Sequence, residues 1–366
     1  MPSAHVIGAG VFGAWIAHAL TRRGWTVRLT DQHGPANSRA SSGGETRILR
    51  SGYGPLSIYA RWARQSLPEW LNLERRAGER LFVRTGALFL GGASAWLQDT
   101  VRTLGEQGIP AHWLTADDLA ARYPQLNFPD TAGGVLEPEA GVLFARRAVQ
   151  RLAALLMQDG VTYEQRTVDP RALIRESRAD AIVFACGPWL PSLFPDLLRN
   201  VVFPTRQEVF FFGAPGGDER FSAERFPAWV AFDEGVYGLP DLEHRGVKIA
   251  FDAHGEDTDP ERLDRTVNAD SVTRMRDVLR HRLPALATAP LLESRVCQYE
   301  NTSNGHLLID RLPGHDRVWI AGGGSGHGFK HGPAVGAYLA GLIDDSGVAD
   351  PTFALAGRPP RARAVF

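Results

Sequence analysis

The sequence predicts an α/β protein, α+β overall, in which a Rossmann-like dinucleotide-binding domain carries an inserted substrate domain built on an antiparallel sheet. Three observations predict this fold class. The chain begins with an apolar strand, a glycine-rich turn, a helix and a second strand that ends on Asp31. Two later apolar strands, at residues 180–184 and 318–321, also run into glycine-rich turns, as buried parallel strands do. Residues 201–290 contain short aromatic segments separated by turns, which indicates an antiparallel sheet.

The first turn has the G-x-G-x-x-G spacing of a dinucleotide fingerprint, at Gly8, Gly10 and Gly13. Gly8 permits the tight turn, Gly10 lets the backbone approach a pyrophosphate, and Gly13 lets the helix lie close to the strand. Asp31 stands where an acid accepts hydrogen bonds from ribose hydroxyls, and it would repel a 2′-phosphate. The pattern therefore predicts FAD or NAD rather than NADP. A glycine-rich turn in some other α/β protein is the alternative.

Two other segments are suited to a phosphate or a flat ring. Residues 34–50 form a polar run of small residues, whose backbone amides and hydroxyls can surround such a group. Residues 322–330 are rich in glycine and precede an apolar helix, whose N-terminus favours an anion.

Composition excludes several classes of function. The formal net charge of −1, from 40 basic and 41 acidic residues, gives no electrostatic basis for binding nucleic acid or an anionic membrane. We expect no signal peptide, no membrane span and a cytoplasmic location. Cys186 and Cys297 are the only cysteines, so we expect no metal site; a disulfide between them is possible but disfavoured in such a compartment.

Periodicity places the remaining elements. Predicted helices cover residues 59–76, 95–107, 146–157, 270–281 and 334–342, predicted strands cover 87–91, 209–212, 229–232 and 247–251, and residues 136–143 form a turn. The nucleotide domain is expected to comprise residues 1–85, 137–200 and 292–366, and the substrate domain residues 86–136 and 201–291. The active site is expected where the two domains meet.

Four stretches now give the chain a family resemblance. They are the fingerprint with Asp31, residues 44–50 (GETRILR), residues 297–310 (CQYENTSNGHLLID) and residues 325–330 (SGHGFK). The chain resembles the FAD-dependent amine oxidases of the D-amino-acid oxidase superfamily, and most of all the branch of monomeric sarcosine oxidase and N-methyltryptophan oxidase. The resemblance extends over nearly the whole chain and implies FAD as the cofactor.

The resemblance implies a covalent flavin. In that branch, the cysteine of the Cys-x-Tyr stretch holds the flavin through a thioether, which points to Cys297. Withdrawing electron density at that edge of the ring would make the flavin a better oxidant. Read from its residue type alone, Cys297 would be a small buried hydrophobe. Cys186 is interpreted as packing near the flavin.

The resemblance also implies a carboxylate clamp. It assigns Arg50 and Lys330 to the substrate carboxylate, and Arg47 to the flavin ring. A planar guanidinium and an ammonium can hold a carboxylate from two sides and so fix the α-carbon against the flavin. An ordinary surface salt bridge is the alternative for Arg50 or Lys330 taken singly.

Three more residues complete the implied catalytic set. Lys248 matches a lysine that lies over the flavin and promotes reaction with oxygen, although a lysine on a half-buried strand can also point to solvent. Tyr237 matches a tyrosine of the substrate pocket. Asp252 stands where sarcosine oxidase has an active-site histidine, and His254 is displaced by two positions. An acid there suggests a larger or more basic substrate than sarcosine, or is a structural acid beside Lys248.

The residues expected to bind the cofactor come from these motifs together. They are Gly8, Gly10, Val11, Phe12, Gly13, Asp31, Gln32, Arg39, Ser41, Ser42, Thr46, Arg47, Val168, Cys186, Gly187, Trp189, Cys297, Gly324, Gly326, His327, Gly328, Phe329 and Lys330.

The sequence therefore predicts a flavin-dependent oxidase that converts the C–N bond of an amino acid or N-substituted amino acid to an imine and reduces oxygen to hydrogen peroxide. A monomer is expected. One alternative is a dehydrogenase of the same fold that passes electrons to another acceptor. Others are a non-catalytic flavin-binding protein or subunit, and an NAD-dependent dehydrogenase.

Overall fold

A computed structural model describes residues 1–91 and 95–359. Its strands are β1 (Ser3–Ile7), β2 (Thr26–Asp31), β3 (Thr46–Leu49), β4 (Phe82–Val83), β5 (Ala87–Gly91), β6 (His112–Thr115), β7 (Gly133–Glu137), β8 (Gly141–Phe144), β9 (Thr162–Gln165), β10 (Ala181–Phe184), β11 (Val202–Phe212), β12 (Ala228–Ala231), β13 (Val236–Leu239), β14 (Val247–Phe251), β15 (Leu291–Thr302), β16 (Leu308–Arg311) and β17 (Val318–Gly322). Its helices are α1 (Val11–Arg22), α2 (Ser57–Ala77), α3 (Ala95–Glu106), α4 (Ala116–Arg122), α5 (Ala145–Gln158), α6 (Pro170–Glu176), α7 (Leu190–Leu193), α8 (Pro195–Leu198), α9 (Ala269–Arg282) and α10 (Gly332–Ile343). The predicted segment 292–366 extends past residue 359, and its end lies outside the described residues.

A six-stranded sheet holds the fingerprint. Its order is β16-β17-β10-β1-β2-β9, parallel throughout except for β16 at one edge. Side chains of α1, α5 and α10 cover one face, and Leu190 and Leu198 from α7 and α8 help to cover the other. Because both faces are covered, β10 and β17 are apolar along their whole length, and β1 is apolar at Ala4, Val6 and Ile7. This sheet confirms the predicted α/β class.

A second, eight-stranded sheet has the order β15-β11-β14-β13-β12-β5-β7-β6. Its pairings are antiparallel except between β12 and β5. The three strands expected within residues 201–290 are all present and lie in this sheet. The twelve-residue strand β15 also pairs here, with β11, although the predicted boundary at residue 292 assigns it to the nucleotide domain. The domain boundaries stay a prediction.

Helix positions agree closely with the periodicity. The five predicted helices correspond to α2, α3, α5, α9 and α10, with ends that differ by at most two residues. No helix in the described part of the chain is long and apolar enough to cross a membrane.

Two local predictions were wrong. Residues 46–49, expected in a loop, form β3, and residues 136–143, expected as a turn, contain the end of β7 and most of β8. β8 pairs with β3 and β4 in a small three-stranded sheet. These short strands depend on partners distant in sequence, which a local pattern does not reveal.

The position of α1 depends on the absence of a side chain at Gly13. A Cβ atom on Gly13 would lie 1.8 Å from the carbonyl oxygen of Gly8, so only glycine lets the helix approach the fingerprint turn. Similarly, a Cβ atom on Gly336 of α10 would lie 2.4 Å from the carbonyl oxygen of Trp15. The close packing of α1 between the turn and α10 therefore holds its N-terminus at the end of β1.

We expect Gly13→Ala to lower the stability of the protein by about 1–3 kcal/mol or more, because the added methyl group overpacks the turn. Gly105→Ala is the matched control. Gly105 lies near the end of α3 with nothing within 4 Å of an added Cβ. The control should be neutral or stabilising by at most about 1 kcal/mol. Thermal melting of the two variants checks this expectation, and equal melting temperatures would contradict it.

Candidate active site

A large cavity lies at the carboxyl ends of the parallel strands, where α/β proteins bind ligands. It encloses about 1170 Å³ of space including its open mouth. Most of the residues predicted to bind the cofactor line it. They are Gly8, Gly10, Val11, Phe12, Asp31, Gln32, Ser41, Ser42, Arg47, Val168, Cys186, Gly187, Trp189, Gly324, Gly326, Gly328 and Phe329. We call this the dinucleotide cavity.

Glycine backbone without side chains lines part of the dinucleotide cavity. Gly8 has a φ angle of +101°, and a Cβ atom there would lie 2.2 Å from the carbonyl oxygen of Ala185. α1 begins after Gly10, which gives it no side-chain cap. Asp31 is fixed at the rim, since its Oδ2 atom accepts a hydrogen bond from the Ala9 amide (2.7 Å) and its Oδ1 atom accepts one from His33 (2.8 Å). Glycine backbone and a helix N-terminus supply amide donors for a pyrophosphate, and a fixed acid can accept from ribose hydroxyls, as a dinucleotide requires.

Six residues predicted to bind the cofactor lie outside this cavity. They are Gly13, Arg39, Thr46, Cys297, His327 and Lys330. Gly13 packs on the turn, and the side chain of Arg39 extends to Glu261 at 3.3 Å. Thr46 contributes its carbonyl oxygen, which accepts a hydrogen bond from Lys248 Nζ at 3.0 Å. The other three line the two neighbouring cavities.

A second cavity, of about 1080 Å³, contains Cys297 and Lys248 and adjoins the first at Arg47. The Sγ atom of Cys297 is 3.8 Å from Nη2 of Arg47. Lys248 does not point to solvent, because only 2% of it is exposed. Burial, together with the nearby Arg47, lowers the pKa of Lys248 well below its ordinary value. We call this the ring-end cavity.

A third cavity, of about 630 Å³, gathers most of the remaining predicted residues. It is lined by Arg47, Arg50, Tyr237, Asp252, His327 and Lys330, together with apolar side chains and Tyr299. Arg47 and Tyr299 line all three cavities and so mark the place where they meet. We call this third space the clamp cavity.

Arg50 and Lys330 are buried cations, 6% and 4% exposed. Arg50 donates to the carbonyl oxygen of Gly52 and lies over the ring of Tyr53 at 4.4 Å. Lys330 Nζ donates to Tyr53 Oη and to the carbonyl oxygen of His327, both at 2.7 Å. Among the described residues, neither cation forms an ion pair with a carboxylate. Burial lowers the pKa of Lys330 well below its ordinary value, and Arg50 adds to that effect. Buried cations without a directly paired carboxylate favour an anionic ligand.

The sequence reasoning missed Tyr53. Its hydroxyl accepts from Lys330, which leaves its own proton for Nε2 of His331 (2.8 Å) or Nδ1 of His327 (3.2 Å). Burial raises the pKa of Tyr53 far above its ordinary value, so the hydroxyl stays protonated. Tyr53 and His331 hold the lysine in place, and no local sequence signal links them.

Tyr299 was also missed as a site residue, although it belongs to the Cys-x-Tyr stretch that carries the resemblance. Its hydroxyl donates to Oδ1 of Asp252 at 3.0 Å. Burial raises the pKa of the Asp252 carboxyl, against the opposing effects of the Tyr299 hydrogen bond and of Arg50 and Lys330. The clamp cavity therefore presents two cations and one acid. The described residues contain no cluster of three or more potential metal ligands.

The fold and the three joined cavities define the class of protein, a dinucleotide-dependent oxidoreductase. The profile of the family described as "FAD dependent oxidoreductase" matches residues 4–342, and the chain belongs to that family. This confirms the predicted resemblance and the choice of FAD over NAD.

Three curated relatives cover the chain almost completely. Peroxisomal sarcosine oxidase of Mus musculus is 31% identical over 352 residues, 91% of this chain and 90% of the relative. Monomeric sarcosine oxidase of Bacillus sp. (strain B-0618) is 30% identical over 356 residues, 92% of this chain and 90% of the relative. N-methyl-L-tryptophan oxidase of Salmonella arizonae is 29% identical over 353 residues, 92% of each chain.

Solved structures show the same fold. L-proline dehydrogenase from P. horikoshii aligns with a TM-score of 0.82 at 20% identity, covering 96% of this chain and 95% of its own. Glycine oxidase from Geobacillus kaustophilus aligns with a TM-score of 0.79 at 22% identity, covering 98% of this chain and 99% of its own. These likenesses confirm the fold class.

We expect Arg50→Met to weaken the binding of acetate about 10- to 100-fold, because it removes a charge-assisted contact in a buried site. Affinity should also fall as pH rises, since the lowered pKa of Lys330 brings the loss of its charge closer to neutral pH. Titration of the FAD-loaded protein with acetate, followed by its visible spectrum, measures both effects. Arg61→Met, a change on the exposed face of α2, is the matched control. Unchanged affinity in Arg50→Met would refute the clamp.

Proposed function

We propose that the protein is a flavin-dependent oxidase of amino acids or N-substituted amino acids. It oxidises the C–N bond to an imine, which water hydrolyses, and it reduces oxygen to hydrogen peroxide. The observation that carries this proposal is the pair of buried cations, Arg50 and Lys330, in a cavity joined at Arg47 and Tyr299 to the dinucleotide cavity. A carboxylate bound there would lie beside the junction at Arg47 and Tyr299 where the three cavities meet.

FAD bound in these cavities supplies the acceptor for the two electrons of the substrate C–H bond. The residues of the chain bind and orient the amino acid. Arg50 and Lys330 hold its carboxylate, while Val230 and Phe329 give the cavity apolar walls. A fixed carboxylate restricts the orientation in which the substrate presents its C–H bond to the flavin. This restriction lowers the entropic part of the activation barrier for oxidation.

Asp252 faces the amino group in this arrangement. The substrate nitrogen must be neutral to be oxidised, whereas an amino acid in water carries an ammonium group. The carboxylate of Asp252, held by Tyr299, attracts that ammonium and can take its proton. Tyr237 lines the same cavity and also the ring-end cavity, so we assign it to shaping the pocket between them.

The relatives support the choice of substrate class. Sarcosine and N-methyl-L-tryptophan, named in the relatives' descriptions, are both N-methylated amino acids. We extend that class to this chain. The name of the Bacillus relative also supports a monomer, and the cytoplasmic location stays a prediction.

A panel of N-methyl and D-amino acids tests the proposed function. With at least one member, we expect the flavin to be reduced under nitrogen, and hydrogen peroxide to form in air in an amount equal to the substrate consumed. Visible absorption and a peroxidase-coupled assay measure the two. Loss of absorption without peroxide would instead indicate a dehydrogenase, and no reduction by any member would indicate a non-catalytic flavoprotein.

Lys248 separates the oxidase from the dehydrogenase. In the oxidase, its ammonium stabilises the negative charge that develops on oxygen, so Lys248→Met should slow reoxidation about 10²- to 10³-fold. The rate at which the substrate reduces the flavin should change far less. Lys248→Arg keeps a positive charge at this position and should retain part of the reoxidation rate. Stopped-flow mixing of the reduced enzyme with oxygen measures it, and an unchanged rate in Lys248→Met would remove Lys248 from the oxygen site.

We also propose that Cys297 forms a thioether to the flavin. Its sulfur lies in the ring-end cavity, 3.8 Å from Nη2 of Arg47. The C–S bond would replace one C–H bond of the flavin's ring methyl group; the two protons, from the thiol and the methyl group, would go to water, and the two electrons would pass through the flavin to oxygen. After acid precipitation, yellow colour should stay with the wild-type pellet, whereas Cys297→Ser should release it into the supernatant. Cys186→Ser is the control, because Cys186 lines the dinucleotide cavity instead. Mass spectrometry that finds no flavin on the residue 297 peptide would overturn this assignment.

A further inference from the structure

Glu300 is a buried acid that the proposed chemistry does not use. It lies on β15 two residues after Gln298, and both side chains line the dinucleotide cavity. Glu300 is 6% exposed, and its Oε1 atom has no hydrogen-bond partner among the described residues. A buried polar oxygen without a partner costs free energy unless a ligand satisfies it.

The carboxyl group of Glu300 lies against bare backbone. A Cβ atom on Gly322, at the end of β17, would be 2.3 Å from Oε1, and one on Gly187, after β10, would be 4.0 Å from Oε2. The main-chain carbonyl of Glu300 accepts a hydrogen bond from the Ser325 amide at 2.8 Å. These contacts fix the acid between two glycine turns at the carboxyl edge of the parallel sheet.

Its surroundings favour the neutral form. Burial raises the pKa of Glu300 to about 8, against the opposing effect of the Gly323 and Gly324 amides. No cation forms an ion pair with it among the described residues. The other ionisable side chains that line the cavity are Asp31, His33, Arg47, Arg166, Cys186 and Tyr299. At neutral pH the carboxyl group is therefore mostly a hydrogen-bond donor.

We propose that Glu300 is a ligand of FAD and that its neutral carboxyl group donates a hydrogen bond to an oxygen of the cofactor. Hydroxyl, phosphate and ring carbonyl oxygens of FAD all accept such a bond. An ionised Glu300 could not donate, and it would repel the pyrophosphate. Binding of FAD is thus coupled to protonation of Glu300. This proposal depends on membership of the FAD family and not on the substrate class. An experiment can therefore contradict it without contradicting the proposed function, and the reverse.

The affinity for FAD tests this proposal. It is measured by flavin fluorescence in the Cys297→Ser background, so that binding is reversible. Between pH 7 and pH 9 the dissociation constant should rise about tenfold, since the protonated fraction of a group with a pKa of about 8 falls by that factor. Adding Glu300→Gln, whose amide always donates, should remove most of that rise.

Glu137→Gln is the matched control, because Glu137 is a buried acid outside the dinucleotide cavity whose oxygens accept from Ser51 and Gly52. It should keep the full pH dependence of FAD binding. A dissociation constant that does not change between pH 7 and pH 9 overturns the proposal, whether or not Glu300→Gln folds. An equal pH dependence with and without Glu300→Gln also overturns it and assigns the titration to a group other than Glu300.

Discussion

Three buried cations without carboxylate partners among the described residues govern the organisation of this site. Arg50, Lys330 and Lys248 are each at least nine-tenths buried, and neutral groups hold them: backbone carbonyls and the hydroxyl of Tyr53. Such an arrangement is unfavourable by itself, because removing a charge from water costs more than neutral hydrogen bonds return. The rest of the fold must therefore be stable enough to hold it, and the cavities gain stability when an anion enters.

Strand β15 contributes side chains to all three cavities. Cys297 lines the ring-end cavity, Gln298 and Glu300 line the dinucleotide cavity, and Tyr299 lines all three cavities. A strand presents successive residues to opposite faces, so one short segment can line adjoining cavities. Sequence reasoning gave a role to Cys297 on this strand and overlooked both Tyr299 and Glu300, and Glu300 has no motif of its own.

Local signals predicted the parts of the molecule that are locally determined. The fingerprint around Gly8 and the long helices follow from glycine spacing and apolar periodicity, and the structure agrees with both. The Tyr53–Lys330–His331 network could not be predicted, because it joins residues almost 280 positions apart through tertiary packing. The short strand β3 was missed for the same reason, since its partner β8 is distant in sequence and only two of its own four residues are apolar.

The acid in the clamp cavity links substrate binding to proton transfer. While the clamp holds no anion, Arg50 and Lys330 favour the ionised form of Asp252 and partly offset the effect of burial on its pKa. A bound carboxylate neutralises much of that positive charge, so the pKa of Asp252 rises and the group becomes a better proton acceptor. The ammonium of the same amino acid is then the nearest source of a proton. On the proposed function, the carboxylate that positions the substrate thus also promotes the loss of the proton that blocks its oxidation.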